Sequence, residues 1–429
     1  MFGFANFLLL ALFAAAVFDL IFALARGGGL RGALHGLWNT PHLLFGQQLA
    51  EWRLQLGRIL FAAGLAAYEI SVVFCNSMAR QNWAWVQGVM SPVLEWLAFL
   101  CFGAKILFGT RYTWRELLAG GALYFIARWV YFNSQNIWWI GIVVAVLAAK
   151  DVRLRHPLQV YFASGCAAMA VVLALHFAGI VAPDLTSERM GALRGTYGYG
   201  HPNTFGGLVF GLVLAYALLR AQKVRWVDCL LVFAVGVFLL VGPASRSAAL
   251  CTLALAVGLV FCRLRAGHSV PRWWPGTCAG MVGLTAAVSY LLPLLVIKVG
   301  PWNNDIGPAW LAKLDSLLTC RISLTWMAYR LLDVKIAGQV FNWPTVDNSF
   351  AFALFQFGPV VAALLGILFA AALWGHAKQG RRVEVCCLFA MLAYAYMEVQ
   401  PFHLTTNPTA LLLCGAVFAQ TSARWQKIE

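Results

Sequence analysis

The chain has 429 residues, of which 62% are hydrophobic and only 11% are charged, and it contains 18 tryptophans. This composition lies far outside the range of soluble globular proteins, so it excludes an ordinary soluble enzyme or binding domain. A net charge of +15 would indicate a nucleic-acid partner in a soluble protein, but in so apolar a chain it indicates basic loops beside a membrane, and we expect no nucleic acid.

Runs of about 17 to 25 apolar residues predict membrane-spanning helices, with somewhat shorter runs accepted inside a bundle. Thirteen candidate spans begin near Phe4, Leu56, Pro92, Arg115, Asn136, Gln159, Asn203, Trp226, Ser247, Gly276, Ser349, Arg382 and Pro408. We therefore expect an all-α, polytopic membrane helical bundle of about 12–13 transmembrane helices that forms one domain over residues 1–429. The first segment lacks the basic start of a signal peptide and carries Asp19, so it is predicted to be a span. The stretch from Gly27 to Glu51 is long enough for an additional interfacial or re-entrant segment.

The basic residues are distributed unevenly between the two predicted sides of the membrane. When alternate connections are assigned to opposite sides, 21 of the 31 Lys and Arg fall on one side, which the positive-inside rule makes cytoplasmic. The N-terminus is then outside. Arginines among the remaining ten are candidates for function, because outer loops usually lack positive charge.

Several ionisable side chains lie within the predicted spans and are expected to face the bundle interior or a wet cavity, because charge is costly in lipid. They are Asp19, Glu69, Glu95, Arg128, His176 and Glu398. A purely structural role is available, in which Arg128 pairs with Glu69 or Glu398. Glu398 is also a catalytic candidate, because it lies near the outer end of its span.

A glycine-rich stretch, ERMGALRGTYGYGHPNTFGG, precedes the seventh span. Pro202 predicts a helix start whose free amides form a ready anion site. His201 can act there as an acid, a base or a donor, and Asn203 can cap the helix or bind a sugar hydroxyl. A glycine-rich turn with a capping Asn explains the same residues without any function.

The short link GPASRSAAL follows the eighth span. Gly242 and Pro243 end one helix and Ser245 is a candidate cap for the next, which places Arg246 in the first turn of that helix. A cation is electrostatically disfavoured there, but an anionic ligand would make it acceptable. The alternative is an arginine that anchors the helix at the membrane interface.

One long outer loop, residues 300–348, separates the tenth and eleventh spans. The stretch from Pro308 to Ile336 has no internal Gly or Pro and predicts one amphipathic helix with Arg321 on its apolar face. The residues that share this face are Leu314, Leu318, Thr325, Ala328 and Leu332. A guanidinium on such a face needs an anion or dipoles, unless its head extends back to water. Asp347 and Asn348 end the loop as a helix cap and a candidate sugar contact.

The motifs that would indicate other chemistry are missing from the sequence. Walker, HExxH, GxSxG and DxD-like motifs are absent, so neither ATP coupling nor divalent-metal chemistry is expected. The 11 cysteines contain no CxxC pair, which indicates neither a disulfide framework nor a zinc site. We predict no cofactor and no metal.

Four features in this order resemble the bacterial repeat-unit polymerases, the Wzy-type enzymes of the O-antigen polymerase and ligase superfamily. They are the glycine-rich turn into HPN, the Ser-Arg link, the outer loop bearing an arginine, and DNSF opening the next span; together they cover the chain from Arg194 to Asn407. The resemblance implies a metal-independent membrane glycosyltransferase of the lipid-sugar (GT-C-like) class. It would lie in the bacterial cytoplasmic membrane with its active site facing outside. It would join oligosaccharide units carried on undecaprenyl diphosphate into O-antigen, exopolysaccharide or capsule.

The resemblance also assigns roles to residues and partners. The functional arginines of the family would correspond to Arg246 and Arg321, with Arg194 and Arg330 as further substrate-binding positions. The other corresponding residues are His201, Asn203, Asp347 and Asn348. The implied partners are lipid-linked donor and acceptor, membrane lipid, a chain-length regulator and a flippase.

Independently of the resemblance, transfer from a diphosphate requires positive charge at the departing group and a base for the acceptor hydroxyl. His201, Asp347 and Glu398 are the candidate bases. Two alternatives remain for the function: a ligase that transfers finished glycan, and a transporter of lipid-linked sugars.

Overall fold

The computed structural model describes residues 2–25, 29–45, 50–181, 187–189, 192–296 and 307–418, and the described chain is mostly helical. The helices of the first half are α1 (Phe2–Ala25), α2 (Gly29–Asn39), α3 (Ala50–Cys75), α4 (Ala79–Asn82), α5 (Ser91–Phe108), α6 (Trp114–Ser134), α7 (Ile137–Ala148) and α8 (Arg155–Phe177). Those of the second half are α9 (Pro202–Leu219), α10 (Trp226–Val241), α11 (Arg246–Leu264), α12 (Trp274–Leu291), α13 (Ala309–Leu317), α14 (Arg321–Leu331), α15 (Ser349–Phe352), α16 (Pro359–Lys378), α17 (Arg382–Met397) and α18 (Cys414–Val417).

Short irregular segments complete the architecture. Two π-helical turns cover Val86–Met90 and Ala353–Phe357, and 3-10 turns cover Leu292–Leu295, Gln400–Phe402 and Pro408–Leu413. The strands β1 (His42–Leu43) and β2 (Arg111–Tyr112) pair antiparallel, as do β3 (Ser187–Arg189) and β4 (Ala192–Arg194). The pairing of Ser187 with Arg194 places β4 directly before the glycine-rich turn.

The helices form an all-α membrane bundle. Within the described ranges, eight helices are long and apolar enough to cross a membrane, and three shorter apolar helices accompany them. The predicted segments beginning near Arg115 and Arg382 are α6 and α17, which lie outside both groups. Each predicted segment therefore corresponds to a helix, while the number that crosses the membrane stays a prediction. The stretch from Gly27 to Glu51, which is long enough for an additional interfacial or re-entrant segment, contains α2.

Helix α9 lies at the centre of the bundle. In its most apolar window 72% of the residues are buried, against 22% for the first helix, so α9 is enclosed by protein rather than by lipid. It packs against α8, α11 and α17. Helix α10 packs on α11, and α16 packs on α12. This places the N-terminal ends of α9 and α11 beside the C-terminal end of α17.

The loop between α12 and α15 differs from its prediction. The expected continuous helix from Pro308 to Ile336 is wrong, because the chain breaks between α13 and α14, where Thr319 and Cys320 have φ of 62° and 64°. The carboxylate of Asp315 fixes this break by accepting hydrogen bonds from the amides of Ile322 (2.8 Å) and Ser323 (3.1 Å). Residues 300–306 of the predicted loop lie outside the described chain.

The eleventh predicted span begins later than the sequence indicates. Ser349 opens only α15, a π-helical turn follows, and α16 starts at Pro359 after Gly358. Gly358 has φ of 87°, and a Cβ there would lie 2.1 Å from the carbonyl oxygen of Ile336. The close approach holds the end of the loop against the start of α16.

The predicted structural pairing of Arg128 with Glu69 or Glu398 is wrong. The Arg128 guanidinium donates to Asn6 Oδ1 at 2.8 and 2.5 Å, whereas Glu398 pairs with an arginine of the loop. Asp19 is buried, as expected, and accepts from the amide of Phe45 at 3.1 Å.

Candidate functional site

A polar cavity of about 310 Å³ lies where several elements end close together. These elements are β4, the N-termini of α9, α11 and α14, and the loop before α15. The lining residues are Arg194, His201, Asn203, Arg246, Ser247, Thr319, Arg321 and Asp347. The cavity therefore brings together segments that are up to 153 positions apart in the sequence.

Arg321 is buried at this cavity, with 9% of the residue exposed. Its Nη2 donates to Glu398 Oε1 at 2.5 Å and its Nη1 donates to Ser247 Oγ at 3.1 Å. Its Nε faces Asp347 Oδ2 at 3.7 Å, which is an ion-pair distance but too long for a hydrogen bond. The arginine on the apolar face thus points into the protein and is paired there, rather than extending to water.

Asn203 connects a second arginine to the same carboxylate. Its Oδ1 accepts from Arg194 Nη2 at 3.0 Å, and its Nδ2 donates to Glu398 Oε1 at 3.1 Å. Arg194 also donates to the carbonyl of Ala244 at 3.2 Å, next to the start of α11. A single oxygen of Glu398 therefore receives hydrogen bonds from both Arg321 and Asn203, which fixes both side chains.

Arg246 is the first residue of α11 and is exposed to the cavity. Within the described residues its guanidinium makes no hydrogen bond or ion pair. Ser245 occupies the N-cap position but makes no side-chain cap, and its Oγ instead lies 3.5 Å from Asn203 Oδ1. Because the positive end of the helix dipole also lies here, the position of Arg246 is electrostatically unfavourable without an anion.

Arg321 is likewise the first residue of its helix, so two guanidinium groups lie at helix N-termini around one cavity. Among the described residues, three guanidinium groups, including that of Arg194, lie at the cavity with the two carboxylates of Asp347 and Glu398. The described side chains of the site therefore carry one more positive than negative charge. Such an arrangement is suited to binding an anion with at least two oxygens.

His201 is the N-cap of α9, and its Nδ1 accepts the amide hydrogen of Asn203 at 3.1 Å. The neutral ring then carries its proton on Nε2. Much of the ring is accessible, but partial desolvation and the Arg194 guanidinium lower the pKa of His201, while Asp347 opposes this shift. His201 is therefore a hydrogen-bond donor at neutral pH, and its geometry does not favour the role of base.

Two glycines of α9 allow residues of the site to pack closely against this helix. A Cβ on Gly206 would lie 2.2 Å from Ser245 Oγ, and a Cβ on Gly207 would lie 1.8 Å from Gln400 Oε1. Gln400 in turn donates to the carbonyl of Asn203 at 3.2 Å and accepts from Tyr394 at 2.7 Å. Gly206 and Gly207 therefore allow neighbouring side chains to approach the α9 backbone closely.

Three predicted site residues do not line the cavity. Asn348 is buried as the cap of α15, where its Oδ1 accepts from two amides and its Nδ2 donates to Ser289 Oγ and to the carbonyl of Tyr396. Arg330 is exposed at the far end of α14, with its guanidinium 5.6 Å from the ring of Trp326. Glu398 is buried behind the cavity wall, where its Oε1 accepts hydrogen bonds from Arg321 and Asn203.

Four residues of the site were not predicted from the sequence. Ser247 and Thr319 line the cavity, Asp315 positions α14, and Gln400 supports Asn203. Ser247 could have been found, because it directly follows Arg246 at a helix start. The contacts of Asp315 and Gln400 are tertiary and leave no local pattern in the sequence.

Described cations of three predicted cytoplasmic links lie together away from this site, namely Lys223, Arg225, Arg263, Arg381 and Arg382. Arg263 lies at the end of α11 opposite to Arg246, which is about 25 Å away along the helix axis. No group of three or more His, Cys, Asp or Glu in the described chain is placed to hold a metal ion. The chain matches no protein-family model, no curated protein and no solved structure.

Proposed function

We propose that this protein is a membrane glycosyltransferase that polymerises oligosaccharide units carried on undecaprenyl diphosphate at the outer face of the bacterial cytoplasmic membrane. The polymer would be a surface polysaccharide such as O-antigen, exopolysaccharide or capsule. The cavity at the N-termini of α9, α11 and α14 would hold the diphosphate of the donor.

The observation that carries this proposal is the set of three arginines around one cavity, of which Arg246 has no partner in the described protein. Arg321 and Arg194 are already held by Glu398 and Asn203, so their guanidinium groups are fixed before a ligand arrives. Fixed positive charge is most effective where negative charge develops during a reaction. In glycosyl transfer from a diphosphate, that charge develops on the departing phosphate.

The proposed step forms one bond and breaks one. The acceptor hydroxyl oxygen bonds to the anomeric carbon of the donor sugar, and the bond from that carbon to the diphosphate oxygen breaks. The diphosphate leaves with the electron pair, and Arg246 and Arg321 stabilise its added charge. The hydroxyl proton passes to a base of the protein.

Asp347 is the base that the geometry favours. Its carboxylate lines the cavity with 32% of the side chain exposed, and it accepts no hydrogen bond from Arg321, whose Nε is 3.7 Å away. Glu398 is buried and has one oxygen bonded to two donors, so we assign it to positioning. The neutral ring of His201 would donate from Nε2 to a phosphate or sugar oxygen.

The test is transfer by the purified protein in detergent, with a radiolabelled oligosaccharide on undecaprenyl diphosphate as both donor and acceptor. A ladder of products with release of undecaprenyl diphosphate is expected. Arg246→Gln should abolish the ladder, while Lys313→Gln, which removes an exposed cation of α13, should not.

The same assay separates the alternatives. A single transfer that stops after one event would favour a ligase. No transfer in detergent, combined with movement of the lipid-linked sugar across proteoliposomes, would favour a transporter and overturn the proposal.

A further inference from the structure

A second, larger cavity of about 550 Å³ lies at the opposite end of α11 from the arginine cavity. It is enclosed by the link between α9 and α10, the end of α11 and the start of α17. Its charged lining residues are Lys223, Arg225, Arg263, Arg381, Arg382 and Glu384. Among the described lining residues five are cations and one is a carboxylate, and this imbalance favours an anionic ligand.

The cations differ in what they already contact. The Arg382 guanidinium donates to the carbonyl of Arg265 at 2.7 Å and to that of His268, which ties the start of α17 to the end of α11. In contrast, the side chains of Lys223 and Arg263 are exposed and make no hydrogen bond or ion pair with other described residues. The cavity thus has a fixed wall and at least two side chains that are available to a ligand.

The surface beside this cavity is apolar. On α10, which starts directly after Arg225, the side chains of Trp226, Val227 and Leu230 are 54%, 71% and 68% exposed. On α11, Phe261 and Leu264 flank Arg263 and are 44% and 62% exposed. A soluble anion would contact only the cations and not these apolar side chains. A lipid would place its headgroup at the cations and its acyl chains on α10 and α11.

We propose that this cavity binds the headgroup of an anionic phospholipid from the adjoining leaflet, with its acyl chains along the exposed faces of α10 and α11. The predicted topology makes this the cytoplasmic leaflet, where juxtamembrane basic residues attract anionic lipid. The inference is independent of the proposed transfer reaction, because it concerns the other end of the bundle and a different ligand.

The test measures lipid retained by the purified protein by native mass spectrometry, after exchange with equal amounts of phosphatidylglycerol and phosphatidylcholine of the same acyl chains. Wild-type protein should retain phosphatidylglycerol about tenfold more than phosphatidylcholine. Lys223→Gln combined with Arg263→Gln should remove most of this preference. The matched control, Arg153→Gln combined with Arg155→Gln, removes two exposed cations of the same predicted side outside the cavity and should leave the preference unchanged.

Competition experiments identify the source of the phosphate. Dihexanoyl phosphatidylglycerol should displace the bound lipid at lower concentration than inorganic phosphate does. Equal displacement by inorganic phosphate would overturn the proposal in favour of a soluble-anion site. Equal wild-type retention of both lipids, or an equal loss in the control variant, would also overturn it, and the wild-type comparison needs no variant to fold.

Discussion

Arg321 Nη2 lies 2.5 Å from Glu398 Oε1, which joins the first residue of α14 to the residue that follows α17. Both side chains are largely buried, with 10% and 6% exposed. The pair therefore links the loop that carries Arg321 to the helix bundle that carries Arg246.

Breaking this pair on one side should destabilise the protein strongly. Arg321→Leu leaves the Glu398 carboxylate buried without its cation, which should lower the free energy of unfolding by about 3–5 kcal/mol. The double variant Arg321→Leu, Glu398→Leu should be less destabilised than the sum of the single variants, because neither charge remains. Denaturant unfolding in detergent gives the free energies of unfolding of the wild type, both single variants and the double variant. If the effects of the two single variants added to within about 0.5 kcal/mol, the pairing would be contradicted.

Arg246 should matter for activity and not for stability. Because its guanidinium has no partner in the described chain, Arg246→Gln should change the free energy of unfolding by less than about 0.5 kcal/mol. Loss of one positioned donor to a developing charge should reduce the transfer rate by about 10²–10³-fold. The detergent assay gives the rate and a thermal melt gives the stability; a strong stability loss with retained transfer would refute the assigned role.

The lowered pKa of His201 predicts a pH-dependent contribution to stability. The folded state favours the neutral ring that caps α9, so the contribution is present above the ordinary histidine pKa of about 6.5 and is lost as pH falls through the lowered folded pKa. His201→Asn keeps a good cap and does not titrate. Its stability relative to wild type should therefore improve from pH 7.5 to pH 5 in thermal melts. A difference that stays constant over this range would show that His201 does not titrate differently on folding.

Gly207→Ala should disturb the site, because its Cβ would lie 1.8 Å from Gln400 Oε1 and 2.8 Å from the Tyr394 hydroxyl. Displacement of Gln400 should cost about 1–3 kcal/mol and reduce transfer by loosening Asn203. Gly280→Ala is the matched control, because a Cβ there meets nothing within 4 Å and alanine favours the helix. Thermal melts and transfer assays of the two variants should differ; equal behaviour would count against the close approach.

Asp315 should act on the site through the position of α14. Asp315→Ala removes the acceptor of two amide hydrogens at the start of that helix and should lower the free energy of unfolding by about 1–2 kcal/mol. Transfer should fall as well, because Arg321 is the first residue of α14. Asp315→Asn retains the Oδ1 acceptor and should keep most of both quantities. If Asp315→Ala and Asp315→Asn gave the same stability and transfer rate, the hydrogen bonds from the start of α14 to residue 315 would not be what positions Arg321.

The parts of the site that could be predicted from the sequence depend on interactions between residues that are close together in the chain. Pro202 after His201 indicates the start of α9, and Gly242, Pro243 and Ser245 indicate the start of α11, which places Arg246 in its first turn. The apolar stripe of the loop correctly includes the buried residues Arg321, Thr325 and Ala328 of α14, but it omits Ile322 and Ser323, which are also buried. Helical periodicity depends only on nearby residues, so one sequence is enough to read it.

The parts that could not be predicted depend on tertiary contacts. No Gly or Pro marks the break between α13 and α14, because Asp315 imposes it from within the preceding helix. The pairing of Glu398 with Arg321 rather than Arg128 follows from how α14 docks on the bundle. Asn348 caps α15, as the sequence predicts, but its Nδ2 donates to Ser289 and to the carbonyl of Tyr396 and does not face the cavity.

A cryo-EM structure of the protein in nanodiscs with undecaprenyl diphosphate bound would test directly whether the arginine cavity holds the diphosphate. We expect phosphate density in the cavity between α9, α11 and α14, with oxygens at about 2.7–3.2 Å from the guanidinium groups of Arg246 and Arg321. Diphosphate density placed elsewhere, for example beside Lys223 and Arg263, with the arginine cavity left empty, would contradict it.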